Sequence, residues 1–269
     1  MSGDERECKK PRVGFCLTHD VAPRGFASGI LASVLAALIF LNISPASGQV
    51  SLDPENWPLS SVGRVNVVAG ARHTAHCTGT LVGPRHVLTA AHCLYNKRRG
   101  VWAHPSSIHF VAGYSRDKYE VHSVASSYQT GQGFQGAEPP IPSNVSHDWA
   151  IIQLAKTLNL KPVPVSAEIT RQSRGIVRAG YRGDRAHILT LQTDCYARGA
   201  SHLPSFMLHS CSAVHGESGS ALLSLSKDGP QIIGLLVAAP MIEANWSVAV
   251  PSTTFAAVVE VVLSKSLQP

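Results

Sequence analysis

Three short stretches of this chain carry residues that can do chemistry together: Thr89-Ala90-Ala91-His92-Cys93, His147-Asp148-Trp149-Ala150-Ile151-Ile152 and Gly216-Glu217-Ser218-Gly219-Ser220. A serine hydroxyl is a weak nucleophile at neutral pH. It needs a base within hydrogen-bond reach, and a histidine base needs an acid to fix its tautomer and support its positive charge. Glycines beside the serine let backbone N–H groups converge on a developing oxyanion. His92, Asp148 and Ser218 supply base, acid and nucleophile, in that order along the chain. Each stretch alone has a plainer reading: a packed core histidine, a strand-terminating aspartate, a glycine turn. Their ordered conjunction argues for acyl transfer, with a cysteine beside the histidine and an export-type leader adding to it. An α/β-hydrolase elbow is excluded, because it requires the order Ser, acid, His and a helix after the serine. The residues after Ser218 read as a strand.

The elements that must hold these groups are short strands. Apolar runs at 62–69, 79–82, 86–89, 108–112, 149–154, 175–179, 188–192, 220–225, 231–238 and 247–251 are rich in Val, Ile, Leu and Thr and bounded by turn residues. One helix is expected near the C-terminus, with Ser252 and Thr253 as cap and apolar positions at helical spacing over 255–263. Residues 129–143 read as a loop. Many short strands without alternating long helices indicate a β-sandwich or a pair of barrels. Composition agrees: of 269 residues, 22 are Gly and 17 Pro, 44% are hydrophobic and 15% charged. That is too apolar for a disordered chain. The net charge of +6 is modest for this length, and no nucleic-acid partner is expected.

The first residues form a separate segment. Residues 1–24 are polar and partly basic, Ile30 to Leu41 carries no charge, and Pro45 to Gly48 is built of small residues. This is the layout of a secretory signal over 1–48, with an unusually long basic region. The apolar run falls short of the roughly 20 residues that a membrane span requires. The expectation is a cleaved leader, a domain over 49–269, and a secreted or periplasmic protein that meets a membrane only if the leader stays attached. Cys8 and Cys16 lie in the leader, which leaves Cys77, Cys93, Cys195 and Cys211. Four cysteines in an exported chain suggest disulfides and allow three pairings. Local pairing, Cys77 with Cys93 and Cys195 with Cys211, is the simplest. Each bridge would close a loop of about 15 residues, worth roughly 3 kcal/mol in the chain-entropy account. A zinc site using Cys77 with His73 and His76 is the alternative, but the spacing does not match the common structural zinc patterns, and no metal is expected.

On these motifs the chain resembles the trypsin-like (chymotrypsin-fold) serine endopeptidases, and within them it is most similar to the bacterial glutamyl-endopeptidase branch. Thr89 to Cys93 resembles the histidine motif, Asp148-Trp149-Ala150 the aspartate motif, and Gly216 to Ser220 the bacterial form of the serine motif. Cys77 precedes Cys93 as in the family's histidine-loop disulfide. The segments Asp194-Cys195-Tyr196 and His209-Ser210-Cys211 resemble the cysteine-bearing region of some bacterial members. The resemblance covers about 60–252. It implies an all-β fold of two six-stranded antiparallel barrels with a C-terminal helix, the barrels spanning roughly 60–155 and 156–252. It implies His92 as general base then acid, Asp148 as its orienting partner, Ser218 as nucleophile, and the N–H groups of Gly216 and Ser218 as the oxyanion hole. A protein or peptide substrate, an acyl-enzyme, no cofactor and a monomeric enzyme complete the expectation.

The chain departs from the family at several points. Glu217 stands where trypsin-type members carry an aspartate that pairs with a new N-terminal amine. It reads equally as a longer-armed substitute or as a solvated charge, and cleavage near Gln49 would supply an amine at a suitable distance. A cut at Arg64–Val65 would sever a strand. Ser212-Ala213-Val214-His215 holds no acid for a basic side chain. Leu236 stands where glutamyl endopeptidases carry a specificity histidine, and Val237 where trypsin-like enzymes carry a serine that supports the aspartate. A small or medium apolar side chain is the expected preference. A catalytically silent binding protein of the same fold is the rival reading, as is an anchored form. The scattered histidines and the Lys97-Arg98-Arg99 run read as solvated surface or loop, and Asn144-Val145-Ser146 and Asn245-Trp246-Ser247 fit the glycosylation pattern.

Overall fold

In a computed structural model of the chain, the described residues are 49–51, 56–68, 74–136, 142–168, 172–200, 203–238 and 246–266. The expected leader, with Cys8 and Cys16, lies outside them. The strands are β1 (Gln49–Ser51), β2 (Val62–Val68), β3 (Thr74–Gly83), β4 (His86–Thr89), β5 (Tyr95–Asn96), β6 (Val101–Trp102), β7 (Ile108–Ala112), β8 (Val121–Thr130), β9 (Ala150–Leu154), β10 (Gln172–Tyr181), β11 (Leu189–Ala200), β12 (Leu203–His209), β13 (Ala221–Ser226), β14 (Gly229–Ala238) and β15 (Ser247–Pro251). A single turn of helix, α1 (Pro142–Val145), precedes β9, and α2 (Ala256–Ser266) follows β15. Among the described residues no helix is long and apolar enough to cross a membrane.

Strands β2, β3, β4, β9, β8 and β7 close into one antiparallel barrel. The second forms from β11, β10, β13, β14, β15 and β12, and closes because β12 returns to β11. The edge of β11 is divided along its length: β12 takes 197–200, and β1 takes Thr190 to Gln192. The two-barrel expectation holds. The period-2 rule accounts for it locally: in β7 the side chains of Ile108, Phe110 and Ala112 point inward, and those between them outward. Val65, Leu81, Val87, Phe110, Ile152 and Leu154 fill the first barrel. Ile176, Met207, Leu222 and Ile233 fill the second.

Two barrel strands escape the sequence reading, besides the short β1, β5 and β6. β8 runs through the start of the expected loop, and the residues it turns inward include Ser123 and Ala125, so its inner face is small and partly polar. β12 begins with Leu203-Pro204-Ser205, which breaks the apolar pattern. At the other end, Ser252 to Thr254 form a 3-10 turn, and the buried Ser252 hydroxyl has no hydrogen-bond partner. It does not cap α2, contrary to expectation.

A third apolar cluster lies between the barrels. Trp149, Ile151, Leu235, Val237 and Val250 meet Phe255 and Val259 there, so α2 is pinned where the barrels meet. The rings of Trp149 and Phe255 have centroids 6.3 Å apart. Phe255 is fully buried. Truncating it to alanine leaves a cavity that this junction cannot close, and Phe255→Ala is expected to lower unfolding stability by about 3–5 kcal/mol in denaturant titration.

Candidate active site

His92 sits in a 3-10 turn (Ala91–Leu94) just past the end of β4, and Asp148 sits just before β9. Because β4 and β9 pair antiparallel with Thr89 opposite Ala150, the end of one strand and the start of the other coincide. The carboxylate of Asp148 therefore meets His92 twice. Its Oδ2 lies 2.7 Å from His92 Nδ1, and its Oδ1 accepts the His92 backbone N–H at 2.8 Å. Asp148 is buried, whereas the His92 ring keeps about a quarter of its surface exposed. An acid on Nδ1 leaves Nε2 as the ring nitrogen free to exchange protons with a nucleophile.

Ser218 lies in the loop before β13, and this loop is bonded across the seam to the first barrel. The backbone N–H of Thr78 donates to the Ser218 carbonyl at 2.9 Å, and the Thr78 hydroxyl donates to the Gly216 carbonyl at 3.0 Å. Thr89 closes the set by donating to the Thr78 carbonyl at 2.8 Å. The Cys93 sulfur lies 3.9 Å from the Ser218 carbonyl oxygen, so the serine loop stands directly beside the histidine turn. Gly219 makes this approach possible. Its φ is +82°, and a Cβ there would come within 3.0 Å of Thr78, Thr89 and Ala90. Inside the loop, the N–H groups of Glu217, Gly219 and Ser220 donate to Val214, Leu236 and Glu217 carbonyls. Among the described residues, those of Gly216 and Ser218 take no part in these bonds.

Both cysteine pairs are bridged locally, Cys77 to Cys93 and Cys195 to Cys211. Atoms of Cys77, Cys93 and His92 that could ligate a metal lie within 4.8 Å of one another. Both sulfurs are bound in the disulfide, so no thiolate remains for zinc.

Glu217 corrects the sequence reading. It is fully buried, so it is not a solvated charge, and its partner is internal rather than a terminal amine. Its Oε1 lies 2.6 Å from Nη1 of Arg178 on β10, and its Oε2 accepts the Val214 N–H at 2.9 Å. Arg178 is buried as well and donates through Nη2 to the Ser212 carbonyl at 2.8 Å. Burial lowers the proton affinity of this guanidinium, and Glu217 opposes that shift. Sequence reasoning passed over Arg178. The available signal was an arginine inside the otherwise uncharged run 175–179, since a charge buried there requires an opposite charge. Val237 is buried in the inter-barrel cluster and offers no hydroxyl to Asp148, whose two oxygens are both engaged by His92 instead. Leu236 is also buried, with its backbone tied to Ser220 and Gly219.

A family model for the trypsin-like peptidase domain matches residues 77–235, more than half of the chain. The chain belongs to that family. It is by this membership a serine endopeptidase, a hydrolase of peptide bonds. Solved structures agree on the fold. A Glu endopeptidase in complex with MPD superposes with a TM-score of 0.66 at 16% identity, covering 82% of this chain and 98% of that one. The thermostable serine protease AL20, from an extremophilic microorganism, gives 0.60 at 16% identity, covering 75% and 97%. The protease Anisep from Arthrobacter nicotinovorans gives 0.58 at 16% identity, covering 75% and 96%. A search of curated protein sequences finds no match.

Two stability predictions follow from the buried charges. Arg178→Met strands the Glu217 carboxylate and is expected to cost about 3–5 kcal/mol in denaturant unfolding. Adding Glu217→Leu should restore most of that loss, because it removes the unpaired charge. The second concerns His209, buried near Arg178 with neither ring nitrogen partnered. Burial, then the Arg178 charge, pushes its imidazole down to about 3. The unfolded chain takes up this proton near pH 6.5, so the contribution is intact above that pH and is lost as pH falls toward 3. Urea midpoints at pH 7, 5 and 4 should fall steeply for the native chain and less steeply for His209→Leu.

Proposed function

We propose that this peptidase works through His92, Asp148 and Ser218 in the domain 49–269, as a secreted or periplasmic monomer released from its 1–48 leader. The observation that carries the reading is the two-point clamp of Asp148 on His92, with the Ser218 loop bonded to the same barrel beside it. His92 takes the Ser218 proton as the serine oxygen bonds to the substrate carbonyl carbon. The oxyanion that forms is held by the N–H groups of Gly216 and Ser218. Collapse breaks the carbon–nitrogen bond, and His92 passes its proton to the departing amine. A water molecule then repeats the sequence on the acyl-enzyme and releases the acid. The groups of this chain suffice for every step.

The acyl-side pocket is read as apolar. Ser212 and Ala213 carry no charge, and Leu236 and Val237 form an aliphatic strand segment where a histidine would be needed to recognise glutamate. Small or medium apolar side chains fit this lining, and such a lining discriminates by only about 1–3 kcal/mol per methylene. Activity is independent of a new N-terminus, because Arg178 already supplies the cation that Glu217 requires.

A fluorophosphonate reagent read by intact mass tests the triad. One adduct is expected on the native protein and none on Ser218→Ala or His92→Ala. Asp148→Asn should fold and lose about 10⁴-fold in kcat, as expected when the histidine tautomer is no longer fixed. A folded native protein that takes up no reagent would make it a silent binding protein of the same fold.

A further inference from the structure

The proton that His92 returns goes to the departing amine, so the leaving half of the substrate must lie on the histidine side of Ser218. That side is the Cys77–Cys93 disulfide and what adjoins it. His76 immediately precedes Cys77 and lies against Gly216: a Cβ on Gly216 would come within 3.0 Å of His76 Nε2, the Tyr181 carbonyl and Gly183 N. The loop between β10 and β11 joins here, since Gly183 N donates to the His215 carbonyl at 2.6 Å.

The corner is cationic. Arg64, two residues along β2 from the partner of His76, projects toward the same loop. Its Nη1 donates to the Ala186 carbonyl at 3.0 Å, and its guanidinium lies 5.2 Å from the centre of the Tyr114 ring. No described carboxylate pairs with it. Its Nε and the Nε2 of His76 are both buried without a hydrogen-bond partner. The one acid of the loop, Asp184, is held at both oxygens by Arg182, at 2.8 and 2.9 Å. His187, bonded to the Tyr114 hydroxyl at 2.8 Å, and His215 are exposed at its rim. Burial, then the Arg64 charge, pushes the His76 imidazole below its usual range, and the backbone of Tyr181 and Arg182 opposes that shift.

We propose that this corner is a leaving-side subsite selective for acidic residues, so that the enzyme prefers Asp or Glu within the first two positions after the scissile bond. The proposal rests on the triad reading above, which fixes the side on which the leaving group departs. An arriving carboxylate supplies the counter-charge that Arg64 lacks.

The test is a peptide series with one common acyl half and Asp, Glu, Asn or Lys at each of the two positions after the scissile bond. A chromogenic ester of the same acyl half, which has no residues there, is measured on the same sample. Relative to the ester, kcat/KM for Asp or Glu is expected to exceed that for Lys by about tenfold at one of the positions, and the ratio should shrink in 0.5 M salt, as for a partly screened charge pair. Arg64→Gln and His76→Gln should each reduce the ratio. Equal cleavage of acidic and basic peptides by native protein that hydrolyses the ester overturns the proposal, even if the variants do not fold. A ratio unchanged in both folded variants overturns the assignment to this corner. Failure of the native protein to hydrolyse the ester or to label at Ser218 overturns the triad reading, and the subsite with it.

Discussion

The ion pair between Arg178 and Glu217 sets the terms for the Ser218 loop. Neither charge has water to fall back on, so each is stable only while the other stays in place. Glu217 is also the residue before Ser218, and it receives the N–H of Val214 at the other end of the same loop. The loop cannot relax without separating a buried charge pair. The glycines on either side of Glu217 and Ser218 supply the positive φ values that this tight path requires. The path of this loop is thus tied to the folded second barrel through Arg178 on β10.

Once the loop is fixed, the seam does the rest. Thr78 gives an N–H to Ser218 and a hydroxyl proton to Gly216, accepts the Tyr181 N–H at its hydroxyl oxygen at 2.9 Å, and accepts the Thr89 hydroxyl at its carbonyl. One residue of the first barrel thereby registers the Ser218 loop of the second against the histidine turn. The fit has no slack, since Gly219 admits no Cβ. Both oxygens of Asp148 meet His92, and Val237 adds no hydroxyl to them.

The sequence showed the chemistry more clearly than the architecture that supports it. His92, Asp148 and Ser218 stood out because each sits in a short local motif and their order has few meanings; of the pairings this implies, the structure holds that of His92 with Asp148. Short apolar runs bounded by turn residues, such as β7 and β15, were legible for the same local reason. β8 was not, because Ser123 and Ala125 fill its inner face with small groups that carry little apolar signal. The partner of Glu217 was not legible either. Residue types announce that a buried acid needs a cation, but only the pairing of β10 with β13 says which cation is within reach. The cationic corner around Arg64 is of the same kind, assembled from β2, β3 and a distant loop.

The position of α2 bears on when the site can exist. Phe255 rests on Trp149, the residue next to Asp148, so an element near the end of the chain buttresses the acid contributed by the first barrel. On a ribosome the first barrel emerges early with its histidine and aspartate but no nucleophile. Ser218 follows only later, and the junction that supports Asp148 is not complete until the helix has docked. The order of synthesis thus sets when these residues can first meet in their folded places.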